Sequence, residues 1–62
     1  MSYGENYGTS TLFDELQRLS GFVYDSYADG DLEQAVEDAK NLMQGSAELW
    51  SRLVEERAEV NA

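Results

Sequence analysis

The chain has 62 residues with no Cys, no His and no Pro, and its 13 Asp and Glu against 4 Lys and Arg give a net charge of −9. This length allows one domain, which buries only about 60% of the surface of its unfolded chain. Without Cys or His there is no disulfide, no thiolate or imidazole metal ligand, and neither the commonest general base nor the best nucleophile. We therefore predict that the protein is not an enzyme and that it holds no cofactor or structural metal.

The negative charge also restricts the expected partners. Nucleic acid and anionic membranes both require Lys and Arg for binding, so neither is an expected ligand. A basic protein surface is the natural complement, while solubility or a high-salt habitat would explain the acidity without a partner. The sequence has neither the basic and apolar regions of a signal peptide nor a run of about 18 apolar residues. These features predict a cytoplasmic protein, in the host cytoplasm if a phage encodes it.

Residues 1–10 differ from the rest because they contain two Tyr-Gly pairs, Tyr3-Gly4 and Tyr7-Gly8, among small polar residues. Glycine permits almost any backbone angle and weakens helices. We predict a flexible N-terminal arm over residues 1–10, followed by a single helical domain over residues 11–62. In the alternative, the arm docks its tyrosines on a partner or on the protein's own helices, because tyrosine offers a large contact area at low entropic cost.

A first helix is predicted over residues 11–28, with Ser10 or Thr11 as its N-cap. Apolar residues follow at helical spacings of four and three, at Leu12, Leu16, Leu19, Val23 and Tyr27. Three further aromatic residues, Phe13, Phe22 and Tyr24, lie off this stripe and widen the apolar surface. Gly30 is expected to end the helix in a left-handed conformation.

A second helix is predicted over residues 32–44, capped by Asp31 with Gln34 as the second member of a capping box. Gly45 is expected to end this helix and Ser46 to cap a third one over residues 47–60. The pattern predicts an all-α fold, a small three-helix bundle with a flexible N-terminal arm. The alternative is an extended helical hairpin that a second copy completes in a dimer.

The segment from Asp25 to Glu33 resembles a calcium-binding EF-hand loop at four of its ligand and turn positions. Position 3 of that loop is Tyr27 and position 12 is Val36, so the bidentate carboxylate that such loops require is missing. We interpret this segment as a helix end and a helix cap, and predict no metal site.

Carboxylates one helical turn apart, Glu33 with Glu37 and Glu55 with Glu59, destabilise an isolated helix by a few tenths of a kcal/mol. Such a placement suggests an acidic surface for a basic partner, which we expect at Asp29, Asp31, Glu33, Glu37, Asp38, Glu55, Glu56 and Glu59. The favoured hypothesis is a phage-type inhibitor of a nucleic-acid-handling protein, of the anti-CRISPR, anti-restriction or polymerase-blocking kind, with DNA mimicry as one way to act.

Large apolar residues on more than one face of the predicted helices support another hypothesis, because Trp and Tyr are frequent anchors of interfaces. The candidates for this surface are Phe22, Tyr24, Tyr27 and Trp50. On this hypothesis the protein is a structural or adaptor protein that forms a homodimer or docks on a partner through apolar helix faces. A third hypothesis is an antitoxin-like regulatory subunit with a basic toxin as partner.

Overall fold

The computed structural model describes residues 3–61, which form two α-helices and no strand. Helix α1 spans Thr9–Ala28 and helix α2 spans Leu32–Asn61. Because only residues 29–31 join them, the helices pack side by side as an antiparallel hairpin, and the all-α prediction is confirmed. Outside the described range lie Met1, Ser2 and Ala62, which belong to the ends of the predicted arm and the predicted helical domain.

The turn between the helices follows the sequence-based expectation. Gly30 has a φ of 81°, and its N–H donates to the carbonyl of Tyr27 at 3.1 Å while the N–H of Asp31 donates to the carbonyl of Ser26 at 2.9 Å. These two bonds form a Schellman motif, which confirms the left-handed glycine. Asp31 is confirmed as the N-cap because its Oδ1 accepts the N–H of Gln34 at 3.1 Å.

The predicted third helix is wrong, because α2 continues through Gly45 and Ser46 as one helix of 30 residues. Among the described residues only Gly4 and Gly30 have a positive φ, so Gly45 does not form a left-handed helix end. A Cβ on Gly45 would lie 2.6 Å from Cδ2 of Leu16 and 3.2 Å from Cδ1 of Tyr3. This glycine therefore marks a place where α1 and the N-terminal segment both approach α2 closely.

Helix α1 begins at Thr9, two residues before its predicted start, and the predicted caps Ser10 and Thr11 lie inside it. Its N-cap is Gly8, which makes no side-chain cap bond and whose carbonyl accepts the N–H of Leu12 at 2.9 Å. Glycine is accepted at the N-cap about as well as threonine, although serine is preferred there, so cap preference alone does not set this helix start.

Residues 3–8 form a turn that packs against both helices. The backbone N–H of Tyr3 donates to Oε1 of Gln44 at 3.1 Å, and the guanidinium of Arg52 donates to the carbonyls of Gly4 and Glu5 at 3.2 and 3.4 Å. Gly4 is buried, with a φ of 93°. For Tyr3, these contacts correspond to the alternative in which the N-terminal segment docks on the protein's own helices.

The core of the hairpin is very small. Leu12, Leu19 and Ala35 are the only hydrophobic residues of the described chain that are buried, and Leu12 alone is fully buried. The radius of gyration is 13.6 Å and the molecule measures 48 × 20 × 17 Å. A compact domain of this length would have a radius of gyration of about 10.6 Å. The hairpin is therefore elongated and leaves many of its large apolar side chains exposed.

The close approach at Gly45 predicts that Gly45→Val destabilises the fold by about 1–3 kcal/mol, because the new side chain must displace Leu16 and Tyr3. Gly21→Ala is the matched control, since a Cβ there meets nothing within 4 Å. That exposed helical position should gain up to about 1 kcal/mol from better helix propensity. Urea unfolding followed by circular dichroism, at one fixed protein concentration, measures both. Equal effects of the two substitutions would contradict the assigned role of Gly45.

Candidate functional site

Helix α2 presents three different sectors around its axis, because successive residues turn by about 100°. The first faces α1 and contains the buried positions Ala35, Asp38 and Gly45. The second is apolar and exposed, with Leu32, Val36, Ala39, Met43 and Trp50 inside about 60°. The third is acidic and exposed, with Glu33, Glu37, Glu55 and Glu59 inside about 80°. The centres of the three sectors are roughly 110–130° apart, so that apolar and acidic side chains are separated.

The exposed apolar sector of α2 continues onto α1. Tyr24 and Tyr27 of α1 are 72% and 68% exposed, and together with residues of α2 they line one groove. Phe13 lies on the same side of α1 as Tyr24, by helical spacing, and is also exposed. We call this surface the apolar face, and it comprises Phe13, Tyr24, Tyr27, Leu32, Val36, Ala39, Met43 and Trp50.

The groove in the apolar face has a volume of about 490 Å³ and lies between the helices near the turn. Its lining is aliphatic or aromatic apart from one serine, and consists of Ser20, Val23, Tyr24, Tyr27, Leu32, Ala35, Val36, Ala39 and Leu42. Farther along α2, Trp50 is 69% exposed and lines a smaller depression with Leu53, Val54 and Arg57. An open groove of this kind suits an apolar side chain from another macromolecule better than a polar ligand.

The four apolar candidates from the sequence do not share one surface. Tyr24, Tyr27 and Trp50 lie on the apolar face, whereas Phe22 lies on another side of α1, where the guanidinium of Arg18 stands 5.3 Å from its ring centre. Residues two apart on a helix differ by about 200° in direction, so Phe22 and Tyr24 cannot both belong to one face. The two-residue spacing of Phe22 and Tyr24 was therefore enough to predict that they lie on different faces of α1.

The acidic candidates also fall into groups. Glu33, Glu37, Glu55 and Glu59 form the exposed acidic sector of α2, which we call the acidic line, about 39 Å long from the first to the last. Asp29 and Asp31 lie at the turn as the C-cap of α1 and the N-cap of α2. Glu56 is exposed but points about 100° away from Glu55. The only lysine, Lys40, lies between the acidic line and the apolar face.

Asp38 does not belong to the exposed acids, because it is only 8% exposed and faces α1. Its Oδ1 accepts a hydrogen bond from Nε2 of Gln34 at 3.0 Å, and its Oδ2 accepts one from the hydroxyl of Ser26 at 3.4 Å. Gln34 therefore bonds forward to Asp38 and does not complete the predicted capping box with Asp31. The bonds satisfy a buried carboxylate and join α1 to α2, as buried polar groups generally require.

A polar cluster that the sequence did not indicate holds the N-terminal segment. The hydroxyl of Tyr3 donates to Oε2 of Glu15 at 2.9 Å, and Arg18 forms an ion pair with the same oxygen. Partial burial, followed by the bond to Glu15, raises the pKa of Tyr3 to about 12. The bond from Arg18, with the one from Tyr3, lowers the pKa of Glu15. The cluster stabilises a neutral tyrosine beside an ionised glutamate.

Arg52 completes the attachment of the N-terminal segment from the other helix. Its Nε donates to Oε2 of Glu48 at 2.8 Å, and its guanidinium also reaches Oγ1 of Thr9 and two carbonyls of the segment. The pair with Glu48 is local, because the two residues lie one helical turn apart on α2. The contacts with Thr9 and the segment are 43 to 48 residues apart along the chain.

Within residues 3–61, no group of three or more Asp and Glu side chains is placed to hold a metal ion. Neither helix of the described chain combines the length and the apolar character that crossing a membrane requires. No protein-family model matches the chain, and neither the curated proteins nor the solved structures contain a detectable relative. Any functional assignment therefore depends on the two surfaces of the hairpin.

Because the pKa of Tyr3 is raised in the folded state, the fold should become less stable as the pH rises into the alkaline range. An unfolded tyrosine has a pKa of 10.0 and the folded one has a pKa of about 12, so the folded state favours the neutral phenol. Its contribution is complete below pH 10 and is lost as the pH rises toward 12. We expect the urea midpoint of the wild type to fall over this range more steeply than that of Tyr3→Phe. Exposed Tyr24→Phe is the control and should retain the wild-type slope.

Proposed function

We propose that the protein is a non-catalytic binding protein whose acidic line occupies a basic surface of another protein. The favoured target is a nucleic-acid-handling protein, which the bound hairpin would inhibit by covering its nucleic-acid site. The observation that supports this function is the position of Glu33, Glu37, Glu55 and Glu59 on one exposed sector of α2, away from the core and the apolar face.

The acidic line carries uncompensated charge within the described part of the chain. The ion pairs there are Arg18 with Glu15 and Arg52 with Glu48, and none includes a residue of the acidic line. Glu33 and Glu37, like Glu55 and Glu59, repel each other across one helical turn. A basic surface would relieve this repulsion, whereas a helix selected only for stability would carry Lys at one position of each pair. The arrangement therefore favours a cationic partner.

The length of the hairpin limits how closely it resembles DNA. Nine net charges over a length of 48 Å correspond to about one charge per 5 Å, whereas duplex DNA has one per ~1.7 Å. Nine charges match roughly 15 Å of duplex, so only a compact domain would reach a DNA-like charge density. A single hairpin is therefore proposed to be an electrostatic complement of a basic groove and not a phosphate-by-phosphate copy of a duplex.

A second candidate function is that of a structural or adaptor protein that assembles through the apolar face. The observation that favours it is the exposure of large hydrophobic side chains on one side of both helices, including Tyr24, Tyr27 and Trp50. The two functions are compatible, because the acidic line and the apolar face point in different directions.

The test of the first function is displacement of a labelled duplex oligonucleotide from a panel of basic DNA-binding proteins, followed by fluorescence anisotropy. Exposed ion pairs contribute about 0.2–1 kcal/mol each, so replacing Glu33, Glu37, Glu55 and Glu59 by Gln should weaken binding about fourfold or more. The wild-type affinity should also fall as salt rises from about 0.05 to 0.3 M, because the contacts are screened.

A control variant with the same net charge distinguishes a specific line from bulk acidity. Glu5→Gln, Asp14→Asn, Asp25→Asn and Glu56→Gln neutralise four exposed acids outside the acidic line. We expect this variant to bind within about twofold of the wild type, a difference of less than about 0.5 kcal/mol. Equal losses in the two variants, or an affinity that does not change with salt, would contradict the proposed function.

A further inference from the structure

The apolar face is larger than the apolar patch that a typical monomer exposes. Weighting about 200 Å² for each aromatic side chain and about 100 Å² for each large aliphatic one by its exposed fraction gives about 700 Å². The largest apolar patch of a typical monomer measures about 300–600 Å². A standard protein interface buries about 800 Å² on each partner. The apolar face of one hairpin thus has nearly the area that one side of a stable dimer needs.

We propose that a second copy of this chain covers the apolar face, with the two hairpins antiparallel and Trp50 of each copy inserted into the groove of the other. The resulting assembly is a four-helix dimer around a twofold axis. Such an interface is self-complementary, because each copy contributes both the inserted side chain and the groove that receives it.

The shapes of the two parts fit this arrangement. Trp50 projects from the apolar face with 69% of its surface exposed, and the groove of about 490 Å³ lies on the same face nearer the turn. On α2 the groove is centred between Val36 and Ala39, and the small side chains of Ala39 and Ser20 leave space for an indole ring. Tyr24 and Tyr27 would pack beside the inserted ring from α1, and aromatic pairs of this kind favour association.

The positions of charged residues are a second reason, separate from the shape of the groove, to place the two hairpins antiparallel. Arg57 follows Trp50 by two helical turns, about 10 Å, on the same side of α2. From the centre of the groove, a similar distance toward the start of α2 reaches the turn with Asp29 and Asp31. Placing Trp50 over the groove of the second copy therefore brings Arg57 to that acidic turn. In a parallel arrangement, Arg57 would instead meet its own counterpart.

Each copy carries a charge of −9, but the repulsion between the two copies does not prevent this dimer, because most of the acidic side chains lie away from the interface. The acidic line is turned about 130° from the apolar sector of α2, so the two lines stay on the outside of the assembly. Two copies side by side along 48 Å carry twice nine charges, about one per 3 Å. The linear charge density thereby approaches that of duplex DNA, at one per ~1.7 Å. The dimer does not rest on the proposed function, but it would strengthen binding to a basic groove.

The first experiment measures self-association of the full chain by sedimentation equilibrium over a wide concentration range. We expect a monomer–dimer equilibrium, and a shift of the Trp50 emission to longer wavelength on dilution, since Trp50 is the only tryptophan. Trp50→Ala and Ala39→Leu should each raise the dimer Kd about tenfold or more by emptying or filling the groove. The control Phe22→Ala truncates an exposed aromatic residue of another surface and should change the Kd less than about twofold.

The second experiment tests the direction of the two hairpins without removing an apolar residue. Arg57→Glu should raise the dimer Kd about fivefold or more, because it places like charges at the acidic turn of the second copy. Adding Asp29→Arg, at the exposed acidic turn, to the same chain should restore most of the affinity. Neither substitution creates a cavity, so helicity at high concentration should stay at the wild-type value if the fold is intact.

Three outcomes would overturn the proposal. A chain that stays monomeric at all concentrations would leave the apolar face to a different protein. A dimer that is unaffected by Trp50→Ala and Ala39→Leu would use another surface. A dimer that responds to these two substitutions, but not to Arg57→Glu or its partner substitution, would have another direction of packing. Because no basic partner takes part in these measurements, their failure leaves the acidic-line proposal to its own test.

Discussion

The packing interface between α1 and α2, which we call the seam, is the constraint on which the rest of the structure depends. Two helices in contact each bury one stripe of side chains along their length. A third helix packed against both would bury a second stripe on each of them. The seam here includes Leu12, Leu19 and Ala35, and it also contains the buried carboxylate of Asp38. A core of this size is at the low end for small domains, whose single cores rarely supply more than about 3–5 kcal/mol. Apolar side chains outside the seam are therefore available for binding.

Gly45 allows Leu16 of α1 and the ring of Tyr3 to pack closely against α2. Its missing Cβ leaves room for Leu16 on one side and for the ring of Tyr3 on the other. The N-terminal segment occupies this place and is then held by hydrogen bonds from both helices, through Glu15, Gln44 and Arg52. Helix propensity is lost at Gly45, and the packing that its small size permits offsets that cost.

The separation of charge from apolar surface connects the two proposals. Around α2, the acidic line and the apolar face occupy different sectors, so one surface can be covered while the other stays accessible. Self-association through the apolar face would leave the acidic side chains outside and increase their number along the same length. A surface of that kind is suited to a basic groove, where electrostatic complementarity sets the rate of encounter and the choice of partner.

The sequence by itself determined the helical content, the left-handed turn at Gly30 and the N-cap at Asp31, because each depends on residues within about one helical turn. It also contained the separation of Phe22 from Tyr24, which follows from helical spacing alone. Only the tertiary structure decided that Gly45 lies inside a helix, that Asp38 is buried and that Tyr3 packs on α2. These outcomes depend on neighbours far away along the chain, such as Leu16 for Gly45 and Ser26 for Asp38. A local pattern cannot distinguish a glycine that ends a helix from one that lets another helix approach, because both are favoured by the same missing side chain.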